Sequence, residues 1–451
     1  MKSRISSKNK KTITMKTKTS IRSFVFLFLL LVVAFSVATF TKQNQTHASN
    51  AETKGCVFLT VMGQEKSESD FIYNTPANVI ASIENGLSWI SKAQQSNGGW
   101  GAGTNARQDI MDPHAVKTDP ATTAMVCMAL QRSGSTLSKG DYSKQLSKGL
   151  EYLLQCVENS SDNSTTITSE TGTQIQVKLG GNIDVILTSQ FLSNILSEAG
   201  ADTRLKSRIE KCQNVCVSKI QKAQDSNGSI KSSGWAGVLQ SSFATSALEA
   251  AQANGAKVDE KALDKSREFQ RGNFNEQTGE VNTAMGAGVV LYSVSSSNRA
   301  AAQDARKVNE DFETAKKEGK LDKDAKVTTD NLEKIGYSQE KAKKASNAYK
   351  VYNSTKGVAQ DEKVMSGFGN NGGEEFLSYL QTGESLVIGK DTDWKKWYEN
   401  ISGHLISIKN QDGSWSGHHC ITSPVFCTAT CVLILSINND IDKLTAVGKT
   451  K

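Results

Sequence analysis

The fold of this chain is decided by two segments, Gly86-Leu-Ser-Trp-Ile-Ser-Lys-Ala-Gln-Gln-Ser-Asn-Gly-Gly-Trp-Gly101 and, after a loop, Asp119-Pro-Ala-Thr-Thr-Ala-Met-Val-Cys-Met-Ala-Leu130. Before the glycine turn, apolar residues recur at spacings of three and four, which predicts a helix with one buried stripe. The residues of this stripe are Val79, Ile80, Ile83, Leu87 and Ile90. The second segment is apolar on every side, which predicts a helix that is buried all round. Two helix types in alternation predict two layers of helices.

The same pattern recurs along the chain. The second copy contains Ile220, Gln224, Gly228, Trp235 and a helix over residues 242–249. The third copy contains Leu405, Gly413, Trp415 and a helix over residues 424–435. Degenerate copies of the buried helix are predicted over residues 188–196 and 283–291. Repeated helix pairs bury a core only by stacking on their neighbours. The sequence therefore predicts an all-α fold.

The first copy resembles a known repeat. Trp89-Ile90, Gln94 and Gly98-Gly99-Trp100 match the repeat signature of squalene and hopene cyclases and, more loosely, that of protein prenyltransferase β subunits. The resemblance covers residues 76–300 and 374–437. It implies a divergent member of the terpenoid cyclase superfamily with an α/α toroid fold, in which inner helices surround a central apolar cavity and outer helices surround them.

The net charge of +7 gives no reason to expect a nucleic-acid partner. Residues 1–50 contain nine of the 53 Lys and Arg residues and no acidic residue, so 44 basic and 46 acidic side chains remain for the rest of the chain. The excess positive charge therefore belongs to the N-terminal segment. At 451 residues, the chain is long enough to bury a sizeable core.

The N-terminal segment has the pattern of an export signal. A basic stretch leads into an apolar run over residues 24–40, and small residues follow near Ala48. The run is just under the ~20 residues that a spanning helix needs. We therefore expect a signal peptide or signal anchor over residues 1–48, with membrane association through residues 24–40 and a periplasmic, secreted or membrane-anchored location.

The rest of the chain divides by composition. A polar linker is predicted over residues 49–75, the toroid domain over 76–440 and a tail over 441–451. Residues 299–373 are dense in Lys, Asp and Glu, which predicts a charged helical insertion. Residues 172–180 alternate polar and apolar side chains, which predicts a short strand or an extended edge.

One loop between a tryptophan turn and a buried helix carries the candidate catalytic residues Asp119, His114, Asp112 and Asp109. Carboxyl groups held close together can share a proton and act as a general acid, or they can bind a cation through oxygen. Alternatively, Asp119 has a structural role, because an aspartate followed by Pro120 also fits a helix N-cap.

The equivalent loop near the C-terminus carries His418, His419 and Cys420. Imidazole and thiolate groups are zinc ligands, but three adjacent residues do not readily face one ion. We predict neither a metal site nor a cofactor, and His418 and Cys420 are the nearest candidates for metal ligands. The predicted ligand-binding residues are Trp100, Trp235, Trp415, His418 and His419.

Three functions follow from these features. A cyclase-like isomerase or lyase would bind an apolar isoprenoid in the central cavity and protonate it with Asp119, supported by His114 or Asp112. A non-catalytic toroid would bind a lipid or a protein partner with the same cavity or its rim. A carbohydrate-active enzyme would need acids that line an aromatic groove. Whether the protein is an enzyme stays open at this point.

Overall fold

The computed structural model describes residues 74–200, 202–231, 234–369 and 371–438, which all belong to one compact unit, Lys54–Lys451. This part of the chain contains α-helices and isolated β-bridges but no β-strand, which confirms the all-α class. The leader predicted over residues 1–48 and the tail over 441–451 lie outside the described residues. None of the described helices is both long and apolar enough to cross a membrane.

Fifteen α-helices are present in the described residues. They are α1 (Ala77–Lys92), α2 (Pro120–Arg132), α3 (Ser143–Glu158), α4 (Gln174–Leu179), α5 (Ile183–Ile195), α6 (Thr203–Ala223), α7 (Gly237–Ala253), α8 (Glu260–Arg271), α9 (Val290–Lys317), α10 (Thr329–Lys334), α11 (Gln339–Val358), α12 (Glu362–Met365), α13 (Gly373–Ile388), α14 (Trp394–Ser407) and α15 (Pro424–Leu435).

The helices fall into two classes by burial, as the sequence predicts. Every residue of α2, α5, α13 and α15 is buried, and so are nearly all of α7 and the first half of α9. We call these six the core helices. By contrast, α1, α3, α6, α8 and α14 each bury one face, which is mostly apolar in all of them except α8, and expose the opposite face.

The contacts between core helices form a closed series. Helix α2 packs against α5, α5 against α7, α7 against α9, α9 against α13, α13 against α15, and α15 against α2. Helix α1 packs against α15, and the Trp89 indole donates a hydrogen bond to Asp412 at 2.9 Å, so the beginning and the end of the described chain meet.

The N-terminal ends of consecutive core helices lie together. Hydrogen bonds join Ala121 N to Asp184, Asn182 N to Gln240, Val238 N to Met285 O, Tyr292 to Glu375, and Gly373 N to Ile421 O. The same end of each core helix therefore contributes to one surface of the protein.

The tryptophan turns anchor core helices to outer helices. The Trp100 indole donates to Ile90 O at 2.9 Å, and the Trp415 indole donates to Leu405 O at 2.8 Å. Ile230 takes the place of tryptophan in the second copy and is buried as well. The turns need glycine: Gly98 has φ +87°, and a Cβ atom there would lie 2.6 Å from the Lys148 carbonyl oxygen.

Three local predictions were wrong. Residues 174–179 form helix α4 instead of a strand, because Thr173 and Gln176 make a capping box that satisfies the helix N-terminus. The buried helix predicted over 283–291 begins only at Val290, after turns stabilised by Gly286 and Gly288. On α1, Ile80 is 44% exposed and lies outside the buried stripe.

The charged segment over residues 299–373 is helical and begins inside a core helix. Helix α9 is buried from Leu291 to Ala302 and then continues outward to Lys317, where it packs against α11. A small second cluster of buried side chains forms there around Val308, Phe312 and Leu332. The segment therefore supplies part of the core and adds a small outer layer to it.

Candidate functional site

A cavity opens at the surface that the N-terminal ends of the core helices share. Its volume is about 280 Å³. It is lined by Trp235, Ala236, Ala287, Val289, Tyr292, Phe368, Glu374 and Cys420. We call this cavity the cup. Trp235 and Phe368 are 58% and 59% exposed, whereas the other large aromatic side chains at the helix turns are buried.

Glu374 is the acidic group of the cup. It lies in the first turn of α13, is 1% exposed, and accepts a hydrogen bond from Ile421 N at 3.2 Å. Burial, with the charge of Glu375 as a second cause, raises the pKa of Glu374 to about 8. At neutral pH this carboxyl group therefore holds its proton and can donate a hydrogen bond into the cup.

Glu375 holds the aromatic wall of the cup in place. Its carboxylate accepts hydrogen bonds from the Tyr292 hydroxyl at 2.6 Å, from Phe368 N at 2.9 Å and from Gly372 N at 3.1 Å. These donors satisfy the carboxylate and fix Tyr292 and the turn that presents Phe368. Glu375 is therefore a positioning residue, and Glu374 is the acid that is left facing the cup.

Helix α4 positions the other wall. Trp235 N and Ala236 N donate to the carbonyl oxygens of Val177 and Lys178, at 3.4 and 2.7 Å. The Lys178 ammonium lies 4.4 Å from the centroid of the Trp235 ring, a cation–π contact. The indole is thereby held at the edge of the cup although most of its surface is exposed.

The two loops that the sequence analysis singled out meet beside the cup. The Gln108 side chain donates to Cys420 O at 2.8 Å, and the Thr422 hydroxyl donates to Gln108 O at 2.8 Å. However, Asp109, Asp112 and His114 are exposed, and none of the three lines the cup. Asp109 pairs with Arg107 at 2.8 Å, and the hydrogen bond from this guanidinium lowers the pKa of Asp109 to about 2.

Asp119 is buried and caps α2. Its carboxylate accepts from Thr122 N at 2.7 Å, from Ala102 N at 2.8 Å and from the Thr122 hydroxyl at 2.9 Å. These are the contacts of the capping role that the sequence offered as an alternative to catalysis. A second buried aspartate, Asp184, accepts from Ala121 N at 3.1 Å and from the Gln176 amide at 2.8 Å.

The two buried aspartates titrate well above the ordinary aspartate range. Burial raises the pKa of Asp119 to about 6, and burial together with the charge of Asp119 raises that of Asp184 to about 7. Between about pH 4 and pH 7, the folded protein therefore holds protons that the unfolded chain has released. Stability is greatest below the pKa of an unfolded aspartate and is lost as pH rises through the folded values.

We therefore expect the free energy of unfolding to fall between pH 5 and pH 8. Each excess proton in the folded state contributes a slope of about 1.4 kcal/mol per pH unit. Urea denaturation of the wild type and of Asp184→Asn across this range tests the effect, and the variant should have the shallower slope. Asp109→Asn is the control, because the pKa of Asp109 lies below the range. Equal slopes for all three proteins would contradict the assignment.

The predicted ligand-binding residues separate in the structure. Trp100 and Trp415 are fully buried, and their indole hydrogen bonds account for them structurally, whereas Trp235 lies on the cup. His418 is exposed. His419 packs edge-on against Phe368 with ring centroids 5.5 Å apart, so it supports Phe368 but does not line the cup.

Cys420 lies on the cup as a protonated thiol. Burial raises its pKa to about 12, with the charge of Glu374 as a second cause, so it is a weak nucleophile at neutral pH. In the described part of the chain, no group of three His, Cys, Asp or Glu side chains is arranged to hold a metal ion.

Sequence reasoning did not identify Glu374, Lys178, Tyr292 or Phe368. The sequence offered a signal for Glu374 only: two adjacent acids, Glu374 and Glu375, directly precede the largely apolar segment over residues 376–388. No protein-family model matches this chain, and a search of curated proteins finds no match.

Proposed function

We propose that this protein is an exported α/α toroid that binds a small, largely apolar ligand in the cup. The closed series of core-helix contacts, surrounded by amphipathic helices, supports the toroid. The export signal pattern over residues 1–48 supports export. The proposal belongs to the class of terpenoid cyclase-like toroids that the repeat signature implies.

The observation that carries the proposal is the pair of exposed aromatic side chains on a concave surface. Trp235 and Phe368 both line the cup, with more than half of each side chain in contact with solvent. Large apolar groups gathered around a cavity are typical of ligand sites. A volume of about 280 Å³ is near the lower end of ligand pockets, which favours a small molecule over a protein segment.

The interior between the core helices is less suited to an apolar ligand. The Ser242 hydroxyl on α7 donates to the Gln381 side chain on α13 at 3.1 Å, so polar side chains cross the space between two non-consecutive core helices. The amide nitrogens of Gln240 and Gln381 are buried without a hydrogen-bond partner in the described residues. A polar interior of this kind favours water over hydrocarbon, so we place the ligand in the cup.

Removing the exposed indole tests this proposal. We expect Trp235→Ala to bind 1-octanol, a neutral apolar probe, about tenfold more weakly than the wild type, a loss of about 1.4 kcal/mol. Isothermal titration calorimetry measures the affinity. Trp89→Ala is the matched control, because Trp89 lies on α1 and contacts Asp412. If substitution of neither Trp235 nor Phe368 weakens octanol binding, the ligand binds outside the cup.

A second candidate function is acid catalysis on the bound ligand, and the protonated Glu374 carboxyl group favours it. A carboxylic acid that keeps its proton at neutral pH can act as a general acid. Because its pKa is raised, Glu374 is better suited to protonate an oxygen atom than an isolated alkene. Incubation with isoprenoid alcohols, followed by mass spectrometry, tests this function. A product that forms with the wild type and not with Glu374→Gln would establish catalysis.

A further inference from the structure

Lys178 is a nearly buried cation that forms no salt bridge with the part of the chain that the structure describes. Its side chain belongs to α4, and the residue is only 7% exposed. Within the described residues its ammonium makes no hydrogen bond or close ion pair; it lies over the face of Trp235 and is near enough to Glu374 and Cys420 to interact with both electrostatically. Buried lysines are normally paired, because an ammonium removed from water loses its hydration.

The neighbouring acids do not provide that partner. Glu374 keeps its proton at neutral pH, and Glu375 is held by three hydrogen bonds from Tyr292, Phe368 and Gly372. Cys420 is a thiol. The N-terminal ends of α7, α9 and α13 also face the cup, and helix N-termini carry partial positive charge. The edge of the cup next to Trp235 therefore offers a cation that no carboxylate of the described residues contacts directly, since Glu375 is engaged by its own three donors.

We propose that the ligand is a small apolar monocarboxylate, whose carboxylate pairs with the Lys178 ammonium while its hydrocarbon part lies between Trp235 and Phe368. This inference rests on the proposed function and specifies its ligand class. The protonated Glu374 carboxyl group can donate a second hydrogen bond to the same carboxylate. Hydrogen bonds between a carboxylate and charged or acidic donors are among the stronger ones in proteins.

Other head groups fit less well. An organic cation would have to approach the Trp235 ring beside the Lys178 ammonium, and like charges at that distance repel each other. A neutral alcohol would fill the cup but would leave Lys178 unpaired. Affinity should therefore depend on the head group even when the hydrocarbon part is the same.

Three probes that share the same alkyl chain and differ in their head group test the preference for a carboxylate. We expect the full-length protein to bind octanoate at least tenfold more tightly than 1-octanol, and octylammonium most weakly, by isothermal titration calorimetry at pH 7. Lys178→Met should lower the affinity for octanoate to about that for 1-octanol, and its effect on 1-octanol binding should be much smaller than its effect on octanoate binding. Lys178→Arg should keep the preference for octanoate. Lys117→Met is the control, since Lys117 is exposed and pairs with Glu170.

The outcomes separate the two proposals. Equal binding of octanoate and 1-octanol by the wild type would overturn the carboxylate inference and leave the apolar cup in place. A Lys178→Met variant that still binds 1-octanol but keeps its preference for octanoate would overturn it as well. No binding of any of the three probes would overturn the proposed function. Should Lys178→Met fail to fold, the wild-type head-group series and Lys178→Arg decide.

Discussion

Replacing Trp100 with alanine is expected to lower the free energy of unfolding by about 3–5 kcal/mol. The indole is fully buried, donates a hydrogen bond to Ile90 O, and packs so closely that a Cβ atom on Gly149 would lie 3.1 Å from it. Alanine would leave a cavity in these closely packed surroundings. Urea denaturation followed by circular dichroism measures the change.

Trp235→Ala is the matched control for this experiment. It removes the same side chain from an exposed position, so we expect a stability change below about 1 kcal/mol, in contrast to its effect on octanol binding. Trp415 repeats the environment of Trp100 in another copy, with its own indole bond to Leu405 O. Trp415→Ala should therefore cost about as much as Trp100→Ala. A small effect at Trp100 would contradict the anchoring role of the tryptophan turns.

Replacing Arg132 with methionine is expected to destabilise the protein by about 3–5 kcal/mol. The Arg132 guanidinium at the end of α2 pairs with Glu384 of α13 at 2.8 Å, and the two side chains are only 2% and 4% exposed. It also donates to Leu433 O at 3.1 Å. Without it, Glu384 would be left as a buried charge that lacks this ion-pair partner.

Arg208→Met is the control for this prediction. Arg208 binds Glu151 and Glu158 at 2.6 Å, but its side chain is 32% exposed, and exposed ion pairs contribute little to stability. The double variant Arg132→Met/Glu384→Met removes both buried charges and should recover most of the loss. If the double variant is as unstable as Arg132→Met alone, the lost stability comes from packing and not from the unpaired carboxylate.

The fully apolar core helices could be predicted from the sequence, whereas α9 could not. The segment from Ala124 to Leu130 has no polar face, so its sequence predicts a helix that is buried on all sides. Helix α9 carries consecutive serines, yet they are buried because their hydroxyl groups bond to backbone oxygens. Ser296 donates to Tyr292 O and Ser297 to Gln270 O, both at 2.7 Å. A core helix whose polar side chains form hydrogen bonds in this way cannot be recognised from its hydropathy pattern.

The candidate site was harder to predict for a related reason. Glu374 stands at the start of a helix, where an acidic residue ordinarily complements the helix dipole at the surface. Its raised pKa depends on burial by residues distant in sequence, such as Ile421, and no local pattern reveals that burial. Asp119 shows the opposite case: the Asp-Pro pair indicated a cap, and the cap is what its contacts show.

The meeting of the first and last described helices has a consequence for how the protein folds. The Asn438 side chain donates to Thr75 Oγ1 at 2.7 Å, and α15 fills the gap between α1 and α2. Such contacts have a very high sequence separation, so folding should be slow, and a nascent chain that lacks α15 exposes the apolar sides of both neighbours. Because Thr75 and Asn438 lie side by side, a circular permutant that joins these two positions and opens an outer turn should still reach the native state.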